Sequence, residues 1–310
     1  MIIITSGKRY IDIDAYSGII AYTHLLKSLG KDVLGISTAK FNESICPVIK
    51  DINISLDIID EKIDINNSEF IILDVSNPDM FDEIIEDNNK IIEILDHHPG
   101  FEDYWKSNTN INLDIEFIGS VCTLIFEKYK KYNKLNLLTL DICKLLLAGI
   151  LDNTLNLKAN ITTQRDIEAC DNLYKIAKID KSWADTYFLS CQKLIEKDLE
   201  TSIKNDVKIK CKDKYLPDVF GQLLVLNKDS ILEKENEIIK IMNSYNEPWI
   251  FNLVCLNDGK SYIISNDDTT KKQIETLFYK KFENNLLTLD KFLLRKEIMK
   301  KAYDLKNMDT

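Results

Sequence analysis

Histidine, proline and glycine are scarce, at three, five and nine in 310 residues. Such a composition excludes a collagen-like fibre and leaves no proline- or glycine-rich linker. No two cysteines stand in a CxxC pair, which excludes a zinc ribbon or a dithiol redox couple. The seven present, Cys46, Cys122, Cys143, Cys170, Cys191, Cys211 and Cys255, are expected to be buried thiols in a reducing compartment. Cations are in deficit, 40 Lys plus Arg against 50 Asp plus Glu, for a formal charge of −10. A broad basic surface for extended nucleic acid is therefore excluded, and any polyanion must be met by a local site. No segment approaches eighteen apolar residues without a charge, and the opening run Met1-Ile2-Ile3-Ile4-Thr5 is too short for a signal-peptide core. A soluble cytoplasmic chain with no membrane partner is expected.

What is present is a mixed composition, 45% hydrophobic and 29% charged, at a length that suggests about two domains. The first half alternates short β-branched runs with helical periodicity, the pattern of an α/β fold: a mostly parallel sheet flanked by helices. Strands are expected at 2–6, 31–36, 70–75 and 90–95. Helices are expected at 15–29, ended by Gly30, and at 120–131, 139–151 and 163–177, with a helix-like stretch at 78–87. The rhythm breaks near 189–198. The expected division is a first α/β domain over 1–188, a linker over 189–198 and a smaller α/β domain over 199–310. In the latter, strands are expected at 207–211, 221–226, 249–256 and 262–265, with helices at 231–243 and 271–278.

In an open α/β sheet, ligands gather at the C-terminal ends of the strands. Four acidic or His-bearing segments fall at or near such ends: Asp12-Ile13-Asp14-Ala15 after the first strand, Asp74, Asp96-His97-His98-Pro99, and Asp152 closing an apolar helix. Singly, Asp14 reads as a helix N-cap, Asp74 as a turn former and Asp152 as a helix stop. Together they form a carboxylate-imidazole set suited to Mn²⁺, Co²⁺ or Mg²⁺, because unpaired anions so crowded would repel and titrate upward. His24, on the first helix, is expected to pack rather than ligate.

The ordered set resembles the DHH phosphoesterase superfamily, whose name-giving triplet stands here as Asp96-His97-His98. Gly119-Ser120-Val121-Cys122-Thr123-Leu124 and Leu151-Asp152-Asn153-Thr154 continue the resemblance. Beyond the boundary, Asp206-Val207-Lys208, Gly221-Gln222-Leu223 and Leu294-Arg295-Lys296-Glu297 are similar to the DHHA2 domain of manganese-dependent family II inorganic pyrophosphatases and exopolyphosphatases. The resemblance implies two Mn²⁺ (or Co²⁺/Mg²⁺) ions held by Asp12, Asp14, Asp74, His97 and Asp152, with Asp74 bridging. It implies that His98 faces the substrate phosphate, that Asp96 orients an imidazole, and that Lys208, Arg295 and Lys296 bind the phosphate chain from the second domain. The implied catalytic set is His98, Asp74, Lys208, Arg295 and Lys296. The implied activity is hydrolysis of the phosphoanhydride bond of pyrophosphate or short polyphosphate by two-metal activation of water. A small phosphorylated substrate is the implied partner, with a homodimer through a sheet edge as a second.

The sequence departs from that pattern at several positions. Lys8 stands where pyrophosphatases carry a metal-ligating His, Val75 replaces a second His, and Leu294 and Glu297 replace Ser and Lys beside the Arg-Lys pair. Either the first metal site is weakened, or another group fills the gap, or the ammonium of Lys8 replaces a cation. Two alternatives stay open: a phosphodiesterase acting on small oligo- or cyclic dinucleotides, and a non-catalytic phosphate-ligand-binding homologue. Against the first, the Gly-rich GGGH-like segment of DHHA1 domains is missing.

Overall fold

The computed structural model describes residues 1–59, 63–106 and 110–308. Its contacts divide the chain into two compact units, Met1–Tyr187 and Phe188–Thr310.

In the first unit, β-branched runs form a five-stranded parallel sheet. Its strands are β1 (Ile2–Thr5), β2 (Val33–Gly35), β3 (Glu69–Leu73), β4 (Ile91–Asp96) and β5 (Asn112–Ile115), in the order β2-β1-β3-β4-β5. Period-two alternation sends Ile3, Phe70 and Ile72 into one apolar cluster with Phe81 and Trp105, and a register shift in the β3–β4 pairing lets both Ile91 and Ile94 join it. Helices α1 (Ile13–Ser28), α2 (Val121–Lys131), α3 (Leu140–Asn153) and α4 (Gln164–Ala177) complete the unit, with α1 packed on both α2 and α3. Ser120 and Thr139 cap α2 and α3, and Thr163 with Asp166 forms a capping box on α4. α5 (Trp183–Lys197) carries the chain across the division.

In the second unit, α6 (Leu199–Asp206) precedes a four-stranded mixed sheet. β6 (Val219–Val225) pairs parallel with β7 (Trp249–Cys255), and β8 (Lys260–Ile264) and β9 (Leu286–Leu289) add antiparallel. Helices α7 (Glu235–Asn243), α8 (Asp268–Phe278) and α9 (Arg295–Met308) flank it. Alternate residues of β7 feed two apolar clusters, Phe251 and Leu253 into one and Ile250 into the other. Both faces of the sheet are thus covered.

Several expected elements differ. The stretch at 78–87 holds only a 3-10 turn, Pro78–Met80. Asp82 is the reason: its carboxylate accepts from the Thr5 and Thr38 hydroxyls and from the Thr38 and Ile84 amides, tying this stretch to β1 and to the loop after β2. The strand expected at 207–211 is one bridge, Lys208 to Phe220. The helix expected at 231–243 is broken into Asp229–Leu232 and Glu235–Asn243, and β5, β9 and α9 were not read as elements. The span 189–197, expected as linker, lies inside α5. All seven cysteines are buried and free, and His24 packs, its Nδ1 2.8 Å from the Tyr129 hydroxyl.

Two glycines set the approach of helices around the chemistry. A Cβ at Gly149 of α3 would meet Cys122 Sγ at 2.5 Å and Asp14 Oδ1 at 2.9 Å, so glycine lets α3 close onto α1 and α2. A Cβ at Gly119 would meet the Asp166 carboxylate at 2.7 Å. Gly149→Ala is expected to cost about 1–3 kcal/mol through overpacking. Urea unfolding of variant and wild type measures it, and an unchanged midpoint would show that this contact is not tight.

Candidate metal centre

The strand order reverses between β1 and β3, the position at which loops part and open α/β sheets bind ligands. Chain leaving β1 passes Gly7 and reaches Asp12, the N-cap of α1, whose Oδ1 accepts from Ala15 N at 3.0 Å. Asp12 is thus the cap that was expected of Asp14. Asp14 lies in the first turn of α1, fully buried, with both oxygens aimed at the N-terminus of α2. Its Oδ1 accepts from Ser120 Oγ at 2.6 Å and Cys122 N at 3.0 Å. Its Oδ2 accepts from Val121 N at 2.9 Å and from Asn153 Nδ2 at 2.5 Å. A helix N-terminus is a favourable place for a buried anion, since its amides are otherwise unsatisfied and its dipole is positive.

Asp74 follows β3 with φ +62°, a left-handed conformation that costs a non-glycine residue about 1 kcal/mol or more and that clusters at functional sites. Its amide donates to Leu95 O, which fixes the turn. The effect is to point Asp74 Oδ1 at His97 Nε2, 3.1 Å away. His97 Nδ1 lies 3.1 Å from the carbonyl of Ile118, to which only an N–H can bond. In the neutral ring Nε2 then carries the lone pair. Asp74 Oδ1 is itself buried with no hydrogen-bond donor among the described residues. Two electron-rich atoms face each other in a dry site, an arrangement that a shared cation stabilises.

His98 is half exposed, its side chain 55% accessible, and its Nδ1 bonds Asp96 Oδ1 at 2.8 Å. The same oxygen accepts the His97 and His98 amides. Burial opposes charge on the His98 ring, but the Asp96 bond and the Asp74 carboxylate outweigh it and raise its pKa. Burial likewise opposes the Asp96 carboxylate, and the His98 bond and charge more than offset this, so Asp96 lies below the usual carboxylate range. Asp74, His97 and His98 each present one ligand atom, all within 4.8 Å of one another. Asp14 Oδ2 lies 3.8 Å from His97 Nε2.

Asp12 and Asp152 enter the group through their charge. Burial first, then Asp14, pushes the Asp12 pKa up. Burial, with Asp12 and Asp14 adding, holds Asp74 well above the carboxylate range. Asp152, one residue before the end of α3, is pushed up to about 7, chiefly by burial, although a 2.8 Å bond from the Tyr187 hydroxyl to its Oδ1 works the other way. The five residues expected to hold metal therefore share one environment. It is a crowd of carboxylates that the neighbouring imidazoles offset only in part, the donor set of a hard or borderline divalent ion.

Lys8 is exposed, its amide tied to Met80 O, and Val75 packs against the apolar cluster of the sheet. Lys208, Arg295 and Lys296 lie in the second unit. Lys208 and Lys296 are exposed. Arg295, the first residue of α9, pairs with Asp206 Oδ1 at 2.7 Å and donates to the carbonyls of Asp206 and Phe220. The Phe220 carbonyl also accepts the Lys208 amide, so Lys208 and Arg295 meet on one strand.

Sequence reasoning missed Tyr187 and Arg9. No pattern links Tyr187 to Asp152, 35 positions away. Arg9 lines a cavity of about 310 Å³ together with Asp12, Asp74 and His98, and its nearness to Asp12 was the only available signal. Asn153 stood within the Asp152-Asn153-Thr154 motif without a role of its own.

Comparison with known proteins agrees with this picture. Residues 2–150 match the DHH family, N-terminal domain. A probable manganese-dependent inorganic pyrophosphatase of Exiguobacterium sp. is 23% identical over 95% of both chains, and its counterpart from Streptococcus mutans is 22% identical over 91% of both. Among solved structures, a candidate family II inorganic pyrophosphatase of Methanococcus jannaschii shares the fold at TM-score 0.66 and 22% identity, over 98% of this chain and all of that one. An exopolyphosphatase-related protein of Bacteroides fragilis matches at TM-score 0.53 and 16% identity, over 99% of this chain and 92% of that one.

Raised carboxylate pKa values make the stability of metal-free protein depend on pH. Asp12, Asp74 and Asp152 bind protons more tightly folded than unfolded. Their stabilisation is complete below the unfolded value, about 4, and is lost as pH rises through the folded values, about 7 for Asp152. The Tm of EDTA-treated protein is expected to fall between pH 5 and 8, with Mn²⁺ raising it more at pH 8. A Tm indifferent to both would contradict the clustering. Tyr187→Phe removes a partner of Asp152 and is expected to weaken Mn²⁺ binding by about 10-fold or more in calorimetry, with little change in folding. Undiminished affinity would detach Tyr187 from the site.

Proposed function

We propose that this chain, whose residues 2–150 match the DHH family, N-terminal domain, is a divalent-metal-dependent hydrolase of phosphoanhydride bonds, acting in the cytoplasm on inorganic pyrophosphate or short polyphosphate. The observation that carries the reading is the pairing of donor-less Asp74 Oδ1 with His97 Nε2 at 3.1 Å inside a crowd of buried carboxylates. The names of the Exiguobacterium and Streptococcus relatives support both manganese and pyrophosphate.

Asp14, Asp74, His97 and Asp152 would hold one ion, and Asp12 and Asp74 a second, weaker one. Bound there, divalent ions supply Lewis-acid activation of water and positive charge for the phosphoryl oxygens. The chain's own groups do the rest. Ile118 O and Asp74 fix the His97 ring so that Nε2 faces the site. Asp96 holds the Nδ1 proton of His98, leaving Nε2 of that half-exposed ring to donate to a substrate phosphate, and its raised pKa favours the protonated form. Asp152, near neutrality, holds or gives up a proton as the site loads. Lys208 and Lys296 of the second unit are proposed as point charges for phosphate. Arg295 contributes in its ion pair with Asp206, which orients the guanidinium.

Lys8 is the reason for assigning the second ion lower affinity, because an ammonium has no lone pair to give. Phosphate release from pyrophosphate with Mn²⁺ tests the activity. Asp74→Asn is expected to lower kcat by about 100-fold or more, as several kcal/mol of charge stabilisation are lost. Hydrolysis unaffected by that change, or none by wild type with any divalent ion, would refute the reading. Lys8→His is expected to raise Mn²⁺ stoichiometry toward two, and an unchanged stoichiometry would clear Lys8 of any part in the weaker site.

A further inference from the structure

The Asp14 carboxylate has its full complement of donors from the chain itself. A carboxylate offers about four lone-pair positions, two on each oxygen. Ser120 Oγ and the Cys122 amide meet Oδ1 at 2.6 and 3.0 Å, and the Val121 amide and Asn153 Nδ2 meet Oδ2 at 2.9 and 2.5 Å. A cation can therefore bond to Asp14 only if one of the four donors leaves. Two of them are backbone amides in the first turn of α2, and the third is the hydroxyl of its N-cap, so all three are fixed by the start of that helix. Asn153 differs. It is the last residue of α3, and its half-buried carboxamide can rotate about its own side-chain bonds without moving a helix.

Asn153 also reaches a second ligand atom. Its Nδ2 lies 2.5 Å from Asp14 Oδ2 and 3.5 Å from His97 Nε2, two atoms that are 3.8 Å apart. With the Nδ1 hydrogen of His97 committed to Ile118 O, the neutral ring presents a lone pair at Nε2. The two hydrogens of one amide nitrogen thus face one lone pair of the carboxylate and one of the imidazole. The carboxamide cannot be turned the other way in the metal-free protein, because its oxygen would then stand against a carboxylate oxygen at 2.5 Å. Lone pairs that hold amide hydrogens are not free for a metal ion.

We propose that the Asn153 carboxamide is a placeholder for the divalent ion: its N–H groups occupy the lone pairs of Asp14 Oδ2 and His97 Nε2 in the metal-free protein, and it swings out as the ion binds. The proposal rests on the metal-centre reading of the same residues. It gives Asn153 two effects of opposite sign. The side chain stabilises the metal-free fold, by supplying the partial positive charge that two crowded electron-rich atoms need, and it lowers affinity for the ion, which must displace it. A residue that merely supported the site would raise affinity instead.

The test compares full-length, EDTA-treated wild type with Asn153→Ala. Calorimetry with Mn²⁺ is expected to show binding about tenfold tighter in the variant, the scale of one competing hydrogen bond to a charged group. The Tm of the metal-free variant is expected to fall. In crystals of wild type grown with Mn²⁺, Nδ2 is expected to have left both Asp14 Oδ2 and His97 Nε2. Affinity that is unchanged or weaker in the variant, while wild type binds Mn²⁺, would overturn the proposal and leave the metal centre intact. So would Mn²⁺-loaded wild type in which Nδ2 still bonds Asp14 Oδ2. Wild type that binds no divalent ion would overturn the metal-centre reading, and the proposal with it.

Discussion

Unbalanced negative charge at one end of a parallel sheet is the constraint that the first unit is built around. Asp12, Asp14, Asp74 and Asp152 are brought together where water is largely absent, and in that setting carboxylates either take up protons or acquire a cation. The raised values of Asp12, Asp74 and Asp152 are the first outcome, seen in the protein alone. Asp14 departs from its neighbours in its partners: two amides and a hydroxyl from the start of α2, and the Asn153 amide, converge on its carboxylate. Its carboxylate is thereby anchored, 3.8 Å from His97 Nε2.

The scaffold explains why these residues meet. Strand order reverses between β1 and β3, so the loops leaving them diverge and open a crevice. α2 must then start at Asp14, and α3 must end beside it. Asp166 makes the first possible by accepting the Gly119 amide and the Thr123 hydroxyl, which seats the turn before α2. Gly149 makes the second possible by having no side chain at the crossing with Asp14. A cost falls on Asp74, whose left-handed backbone is a local strain accepted in order to aim one oxygen.

Much of this was legible in the sequence because it is local. Strand-then-acid runs, adjacent histidines and helical periodicity are short-range signals, and they marked the parallel sheet, its helices and each member of the carboxylate-imidazole group. What escaped depends on distance in the chain. Tyr187 reaches Asp152, and Ile118 lends a backbone carbonyl to His97, which no side-chain pattern can announce. Asp82 looked like one more helical residue and is instead a tertiary hub. Arg295 was read by its charge toward phosphate, and the ion pair with Asp206 and the two carbonyls that hold its guanidinium went unread. Lys8, conspicuous as a sequence departure, is exposed, while its neighbour Arg9 lines the cavity.

The central claim is that a divalent ion belongs between Asp74 and His97. Anomalous diffraction from crystals grown with Mn²⁺ tests it most directly. The account predicts a manganese peak bonded to both Asp74 Oδ1 and His97 Nε2, with the Nδ1 bond to Ile118 O retained. Full-strength manganese elsewhere, with Asp74 and His97 still in direct contact, would contradict it.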